Sequence, residues 1–247
     1  MPKQYNRSTT QPACESIACK DCGIYKLCRL TSGSEDPSVF NTLVRRRRIL
    51  RRGEYLYRRG DAFNEIYAVR HGSIKIYISG DDGRTQITKF HGPGELIGFD
   101  AIEARRFDSE AIVLETTNVC AVSFSHFQNL SKEIPGLQDE MIIVMSHVIL
   151  RSQQMMMLLG KKNATEKLAT YLMDLYRHIN RNKTSPLPYK LTMSRRDIGN
   201  YLGLTQETVC RILALFQTEG IVNIQGKYIH LVDIDRLGKL TLEPRAE

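Results

Sequence analysis

The sequence changes its pattern at Pro135, and this change constrains the possible folds more than any other feature. From about Phe40 to Phe124, short runs of β-forming residues such as Ser73 to Ile78 alternate with turns such as Gly80-Asp81-Asp82-Gly83. Short strands at regular spacing predict a β-barrel or jelly roll. Beyond Pro135 the apolar residues recur at helical spacing instead. The sequence therefore predicts an α+β protein in which a β-jelly-roll is followed by helical units.

The segment after Pro135 predicts one long helix with an apolar seam. The seam residues recur with alternating spacings of four and three, which is a heptad pattern. They are Met141, Met145, Val148, Ser152, Met155 and Leu159. A straight heptad seam favours pairing with the same helix of a second copy, so we expect a homodimer with these residues at its interface. A long helix lying against the β-domain would need a similar apolar stripe.

A helix-turn-helix pattern lies near the C-terminus. Ser194 is placed to cap a first helix, with Asp197 three residues on, and Thr205 is placed to cap a second helix after the turn at Gly203. A hairpin signal around Gln225-Gly226 follows, as a winged helix requires. These features predict a winged helix-turn-helix.

The second helix of this unit has one apolar and one polar face. Its polar face carries Glu207, Cys210 and Arg211 and begins at the N-terminal end of the helix. In this motif, that end of the second helix enters the DNA major groove. Arg195 and Arg196 are placed to hold phosphates. The alternative is an ordinary amphipathic hairpin with a solvated charged face.

Charge and hydropathy bear on the partners. Lys and Arg outnumber Asp and Glu by 35 to 27, a net charge of +8, which favours a polyanion such as double-stranded DNA or an anionic membrane. The first ten residues lack an apolar secretory core, and no run of ~18 uninterrupted apolar residues is present. We therefore expect a cytoplasmic protein without a membrane span.

The length of 247 residues suits two domains with an appended terminal segment. We predict a cysteine-bearing arm over 1–38, the jelly roll over 39–134, a dimerisation helix over 135–160 and the winged unit over 161–247.

Cysteines are concentrated in the arm. Cys14, Cys19, Cys22 and Cys28 are close enough for a flexible loop to wrap several thiolates around one inorganic centre. In a reducing compartment such a group indicates a metal or redox site before a disulfide framework. Spacing alone leaves an iron–sulfur cluster, zinc and unligated thiols open. Cys120, in a β-type run, is by itself best interpreted as a buried structural cysteine.

The chain resembles the FNR branch of the CRP/FNR family of transcription regulators over nearly its whole length. The matching segments are Cys19-Lys20-Asp21-Cys22 with Cys28, Gly94-Glu95-Leu96-Ile97-Gly98-Phe99-Asp100 and Asp197-Ile198-Gly199-Asn200-Tyr201-Leu202-Gly203-Leu204-Thr205. The resemblance implies a 4Fe-4S cluster on Cys19, Cys22, Cys28 and Cys120. It implies that the loaded dimer binds an operator and contacts RNA polymerase to control anaerobic genes, and that oxygen degrades the cluster. Loops such as Gly80 to Thr85 are the expected polymerase contacts.

The sequence departs from the wider family pattern at three places. Asp108 stands where relatives that bind cyclic nucleotides have the Arg that holds the phosphate, so no cyclic nucleotide is expected. Cys210 stands where the branch usually has Ser, which puts the half-site in doubt. Ser152 stands where an acidic residue usually opposes dimerisation, so we expect a tighter dimer.

Two alternatives to the oxygen-sensing regulator stay open at this stage. A zinc-stabilised or cluster-independent DNA-binding regulator would use the same cysteines without iron. A redox enzyme is disfavoured because no Gly-rich nucleotide loop or flavin fingerprint accompanies the cysteines. The sequence therefore predicts a protein that is not an enzyme.

Overall fold

A computed structural model describes residues 18–22, 25–33, 44–179 and 189–241. Cys14 and the whole predicted connector, residues 181–188, lie outside the described residues. The described part of the cysteine arm consists of a short 3-10 turn, Cys19–Asp21, and helix α1, Tyr25–Ser32.

The middle of the chain forms the predicted β-jelly-roll. Its strands are β1 Val44–Leu50, β2 Tyr55–Tyr57, β3 Glu65–His71, β4 Ile74–Ser79, β5 Thr85–His91, β6 Leu96–Ile97, β7 Glu110–Val113 and β8 Thr117–Ser123. They make two antiparallel sheets, with strand orders β1-β8-β3-β6 and β2-β7-β4-β5. The inner residues of both sheets, such as Val69, Ile74 and Val119, are fully buried between them. The predicted jelly roll is thus confirmed.

Strand β1 was not anticipated by the sequence pattern. It reads Val-Arg-Arg-Arg-Arg-Ile-Leu, and four consecutive arginines hide the apolar–polar alternation that marks a strand. The strand lies at the edge of its sheet and pairs with β8, placing Arg47 opposite Cys120. An edge strand carrying charged residues is a common protection against pairing with other chains.

Helices follow the jelly roll. They are α2 Phe124–Glu133, α3 Leu137–Lys161 and α4 Ala164–Ile179. Within the described ranges, α3 is the one helix whose length and composition would suffice to cross a membrane, and 6% of its most apolar window is buried. Its middle carries the polar run Arg151-Ser152-Gln153-Gln154, which a lipid environment disfavours.

The C-terminal unit has a separate core. Its elements are β9 Tyr189–Lys190, α5 Arg195–Leu202, α6 Gln206–Thr218, β10 Val222–Gln225, β11 Tyr228–Leu231 and α7 Ile234–Lys239. Ile198, Leu202 and Phe216 pack with Leu168 and Leu172 of α4 in this core. The winged helix-turn-helix is confirmed, and strand β9 adds a third strand to the wing.

Candidate nucleic-acid interface and cysteine cluster

The first helix of the helix-turn-helix begins with a capping box. The hydroxyl of Ser194 accepts a hydrogen bond from the Asp197 N–H at 3.0 Å, and the Asp197 carboxylate accepts one from the Ser194 N–H at 3.1 Å. Gly199 allows the turn to pass closely, because a Cβ atom there would lie 2.7 Å from the Leu204 carbonyl oxygen. The turn begins at Gly203, the residue that follows α5, with φ 64°. The close approach at Gly199 and the turn at Gly203 bring α5 and α6 together.

The second helix presents the predicted polar face to solvent. Thr205 caps it by accepting from the Thr208 N–H at 3.1 Å. Its apolar side is buried in the core through Val209, Ile212, Leu213 and Phe216. The three predicted base-contact residues, Glu207, Cys210 and Arg211, are all exposed. The backbone N–H of Glu207 and the Thr205 hydroxyl lower the pKa of this carboxyl group, which keeps it an ionised hydrogen-bond acceptor.

The two predicted phosphate contacts differ in their surroundings. Arg196 is exposed, whereas Arg195 is half-buried, and burial lowers the pKa of Arg195 against the opposing influence of nearby Cys210 and Tyr171. An arginine stays charged in either environment. Arg195, at the start of α5, therefore lies near Cys210, in the middle of α6. The wing follows, with Gln225 paired to Tyr228 across a turn at Gly226.

The cysteines predicted as ligands gather where α1 meets the jelly roll. Cys28 and Cys120 are buried in its core, and Cys19 and Cys22 pack against the same core. Burial raises the pKa of the Cys28 thiol to about 12, with further contributions from the charges of Cys22, Cys120 and Cys19. Since such electrostatic contributions require proximity, the structure brings these four cysteines into one neighbourhood.

Cys120 is also close to cationic groups. Burial raises the pKa of its thiol, and Arg70 and Arg47 oppose this effect, Arg47 partly through a hydrogen bond. Within residues 18–22, 25–33, 44–179 and 189–241, however, no three His, Cys, Asp or Glu side chains are arranged closely enough to form a metal-binding group. The four cysteines are neighbours without adopting ligand geometry in this arrangement.

The long helix α3 divides the predicted seam between two faces. Met141 is buried against the jelly roll, and Val148 and Met155 are half-buried, with Met155 packed on the C-terminal core. These three residues therefore face their own chain. Met145, Ser152 and Leu159 lie on the exposed face.

The exposed face of α3 has its own heptad pattern. Ile142, Ile149 and Met156 are 64%, 58% and 65% exposed, and they alternate with Met145, Ser152 and Leu159 at spacings of three and four. The sequence pattern missed them because two apolar seams one residue apart coexist on this helix. Their signal in the sequence is the pairing of Met141 with Ile142, Val148 with Ile149 and Met155 with Met156.

Side chains of the protein itself fill the interior of the jelly roll around Ser109. The Ser109 hydroxyl donates to Asp100 Oδ2 at 2.8 Å and lies 3.4 Å from the Tyr57 hydroxyl. The Tyr57 and Phe107 rings stack with centroids 3.7 Å apart. Asp108 accepts from Arg59 Nε at 3.0 Å. The polar groups of this segment are therefore engaged with other parts of the chain.

Comparisons with known proteins agree with this architecture. Residues 47–133 match the family described as Cyclic nucleotide-binding domain, and residues 166–240 match the Crp-like helix-turn-helix domain. The chain is 40% identical over 226 residues to the Fumarate and nitrate reduction regulatory protein of Escherichia coli (strain K12), covering 91% of this chain and 90% of the relative. It is 40% identical over 227 residues to the Anaerobic regulatory protein of Haemophilus influenzae, covering 92% and 88%.

A solved structure shows the same fold. The structure of FixK2 from Bradyrhizobium japonicum superposes with a TM-score of 0.73 at 30% identity, covering 81% of this chain and 98% of FixK2.

Proposed function

The chain belongs to the FNR branch of the CRP/FNR family of transcription regulators, and on this premise we propose that it senses oxygen through a 4Fe-4S cluster that controls its binding to DNA. It is a DNA-binding regulator of the anaerobic response and not an enzyme. The observation that supports the cluster assignment is the meeting of Cys120, from β8, with Cys19, Cys22 and Cys28 of the arm.

The cysteine neighbourhood suits a cationic inorganic centre. Burial disfavours the thiolate form of Cys28 and Cys120, which raises both pKa values. Iron is ligated by thiolates, so its positive charge would offset this burial penalty. Cys19, Cys22, Cys28 and Cys120 are the proposed ligands. When bound, a 4Fe-4S cluster supplies an oxygen-labile iron centre.

The arm is connected to the long helix. Helix α1 carries Cys28, and Lys26 on the same helix forms an ion pair with Glu140 of α3 at 3.3 Å. Holding α1 against β8 through the cysteines would therefore also hold the start of α3. This connection supports control of the dimer by the arm.

A homodimer is proposed through the exposed face of α3. Pairing of this face would bury Ile142, Met145, Ile149 and Met156, whose exposed area would otherwise be costly in water. The same pairing would account for the largely exposed apolar surface of α3 without a membrane span. Ser152 would lie in this seam without a like-charge penalty.

Each subunit of the dimer would contribute one DNA-reading helix to an operator of double-stranded DNA. Glu207, Cys210 and Arg211 are the proposed base contacts, and Arg195 and Arg196 the proposed phosphate contacts. Two subunits bound together gain affinity because the second binding event is intramolecular. The Gly80 to Thr85 loop, all of whose residues are exposed, is the proposed contact for RNA polymerase.

The predicted division into four parts, over residues 1–38, 39–134, 135–160 and 161–247, is retained as part of this proposal. Cyclic nucleotide is not the proposed effector. Ser109 is already bonded to Asp100, and the carboxylate of Asp108 would repel a phosphate. The sensor role is therefore assigned to the cysteines.

Purification under nitrogen tests the proposal. We expect a brown protein with about four iron atoms per chain that bleaches in air. Cys120→Ala is expected to lose the iron and the operator affinity, whereas Cys210→Ala, which alters an exposed cysteine outside the cluster site, is expected to keep its iron. Retained iron and retained operator affinity in Cys120→Ala would contradict the proposal.

Zinc is the second candidate, because four thiolates also suit a structural zinc site. The same preparation distinguishes the two. A colourless protein that contains zinc and binds the operator equally well in air and under nitrogen would support a zinc-stabilised regulator.

A further inference from the structure

The first helix of the helix-turn-helix is attached to the edge of the jelly roll. Strand β5 is the outer strand of its sheet. The Asn200 side chain on α5 pairs with this edge: its Oδ1 accepts from the Ile87 N–H at 2.6 Å, and its Nδ2 donates to the Thr85 carbonyl at 2.8 Å. Gln86 Nε2 donates to the Asn200 carbonyl at 2.8 Å. An amide side chain thus occupies the place of a neighbouring strand.

Further contacts join the same two units. Lys75 Nζ on β4 lies 2.6 Å from Asp197 Oδ1, and both side chains are largely shielded, with 23% and 19% exposed. The Ser73 hydroxyl donates to the Thr192 hydroxyl at 2.7 Å. We call Asn200, Asp197 and Thr192, with their partners on the jelly roll, the latch.

An aromatic group lies beside the latch. Phe90 of β5 contacts Tyr201 of α5, with ring centroids 5.1 Å apart, and Tyr171 of α4 is 5.8 Å from Tyr201. Packing of these rings restricts rotation of α5 about any single hydrogen bond of the latch. Together with the polar contacts they define the orientation of α5 on the jelly roll.

The latch and the proposed DNA contacts use different sides of the unit. Asp197 and Asn200 point from α5 toward the jelly roll, whereas Glu207, Cys210 and Arg211 on α6 remain exposed. The jelly roll therefore does not cover the DNA-reading side chains. Contact with DNA and closure of the latch are compatible.

We propose that Asn200 is a positioning residue that fixes the direction of the DNA-reading helix through edge strand β5, and thereby sets the half-site spacing that the protein accepts. This inference rests on the proposed dimer. Because Gly199 packs closely against the turn before α6, and α5 and α6 share one buried core, an anchored α5 also anchors α6. In a dimer, two anchored helices fit two half-sites at one separation only.

Loss of the latch would weaken binding in a particular way. A freely rotating unit samples more orientations, so the effective concentration of the second unit at its half-site falls. The contacts of a single unit with its own half-site would be unchanged. Operator affinity and selectivity for spacing should therefore fall together.

The experiment uses the full-length protein purified under nitrogen and a DNA duplex that the wild type selects from a random library. Matched duplexes carry two base pairs more or fewer between the half-sites, which rotates one half-site by about 70°. For Asn200→Ala we expect about tenfold weaker binding to the selected duplex and about tenfold less discrimination against the altered spacings. Asn129→Ala, at an exposed position of α2, is the control and should match the wild type.

A second variant and a second readout guard against misfolding. Lys75→Met breaks the latch from the jelly-roll side and leaves the helix-turn-helix sequence intact, so it should reproduce the loss of spacing selectivity. Hydrogen exchange should show faster deuterium uptake in β5 of Asn200→Ala, because the Ile87 N–H loses its acceptor.

The outcomes separate the two proposals. If the wild type binds all spacings equally, the proposed dimer is wrong, and the positioning role of Asn200, which depends on it, is wrong as well. If the wild type discriminates and both latch variants discriminate equally well, the positioning role alone is wrong. Tighter binding by Asn200→Ala would mean that the latch inhibits binding, which also overturns it.

Discussion

Replacing Arg151 by Met should loosen α3 from the jelly roll. The carboxylate of Glu95, which is 12% exposed, receives a hydrogen bond from Arg151. It also lies 3.7 Å from Lys89 Nζ and accepts from the Gly92 N–H at 2.9 Å. Burial would raise the pKa of Glu95, but the surrounding charges and this N–H hold it below its usual range. Arg151→Met leaves a buried carboxylate with fewer partners.

The expected cost lies between two limits. Removing one partner of a fully buried ion pair costs about 3–5 kcal/mol, and an exposed pair contributes about 0–1 kcal/mol. Glu95 is nearly buried, but Arg151 is 48% exposed and Lys89 remains as a partner. We therefore expect the free energy of unfolding to fall by about 2 kcal/mol.

Urea unfolding followed by circular dichroism measures this change. All proteins are compared at one concentration, because the stability of a dimer depends on concentration. Gln154→Met, at an exposed position on the same helix, is the control and should stay within about 0.5 kcal/mol of the wild type. Glu95→Gln and the double variant complete a thermodynamic cycle, for which we expect a coupling of about 1 kcal/mol or more. Additivity within about 0.3 kcal/mol would refute the interaction.

Three further predictions follow from the structure. Gly199→Ala should destabilise the C-terminal unit by about 1–3 kcal/mol in a thermal melt, since its Cβ would meet the Leu204 carbonyl at 2.7 Å; an unchanged melting temperature would contradict this packing. Burial lowers the pKa of His91 to about 3, so the unfolded chain takes up a proton below about pH 6.5 and the folded chain does not. The free energy of unfolding should therefore fall as the pH drops from about 6.5, by up to about 1.4 kcal/mol per unit, and His91→Asn should flatten this slope. Ser152→Asp should shift the cluster-free protein from dimer to monomer in sedimentation, and equal association of both proteins would exclude Ser152 from the seam.

Features that depend on residues close in the chain could be predicted from the sequence. The capping of α5 by Ser194 and Asp197 and of α6 by Thr205 involves partners three residues apart, so their spacing is visible without a structure. The strand periodicity of the jelly roll is equally local. Strand β1 is the exception, because its arginines give no alternating pattern and its pairing with β8 comes from distant residues.

Which face of α3 packs against its own chain could be known only from the tertiary structure. The sequence holds two overlapping apolar seams, one through Met141 and Val148 and one through Ile142 and Ile149. Either satisfies a heptad spacing. The jelly roll buries Met141 and the C-terminal core partly covers Met155, whereas Ile142, Ile149 and Met156 stay exposed, and only the position of α3 on its own chain makes that choice.

By itself, the sequence determined the two architectures, the exposed polar face of α6 with Glu207 and Arg211, and the group of cysteines in the arm, because each is encoded by spacing within a short segment. Only the tertiary structure decided which distant groups meet. Asn200 meets the edge of β5 across more than a hundred residues, and Lys75 meets Asp197 at a separation of 122. Such contacts leave no periodic trace in the sequence, because their partners are brought together by the packing of two distinct cores.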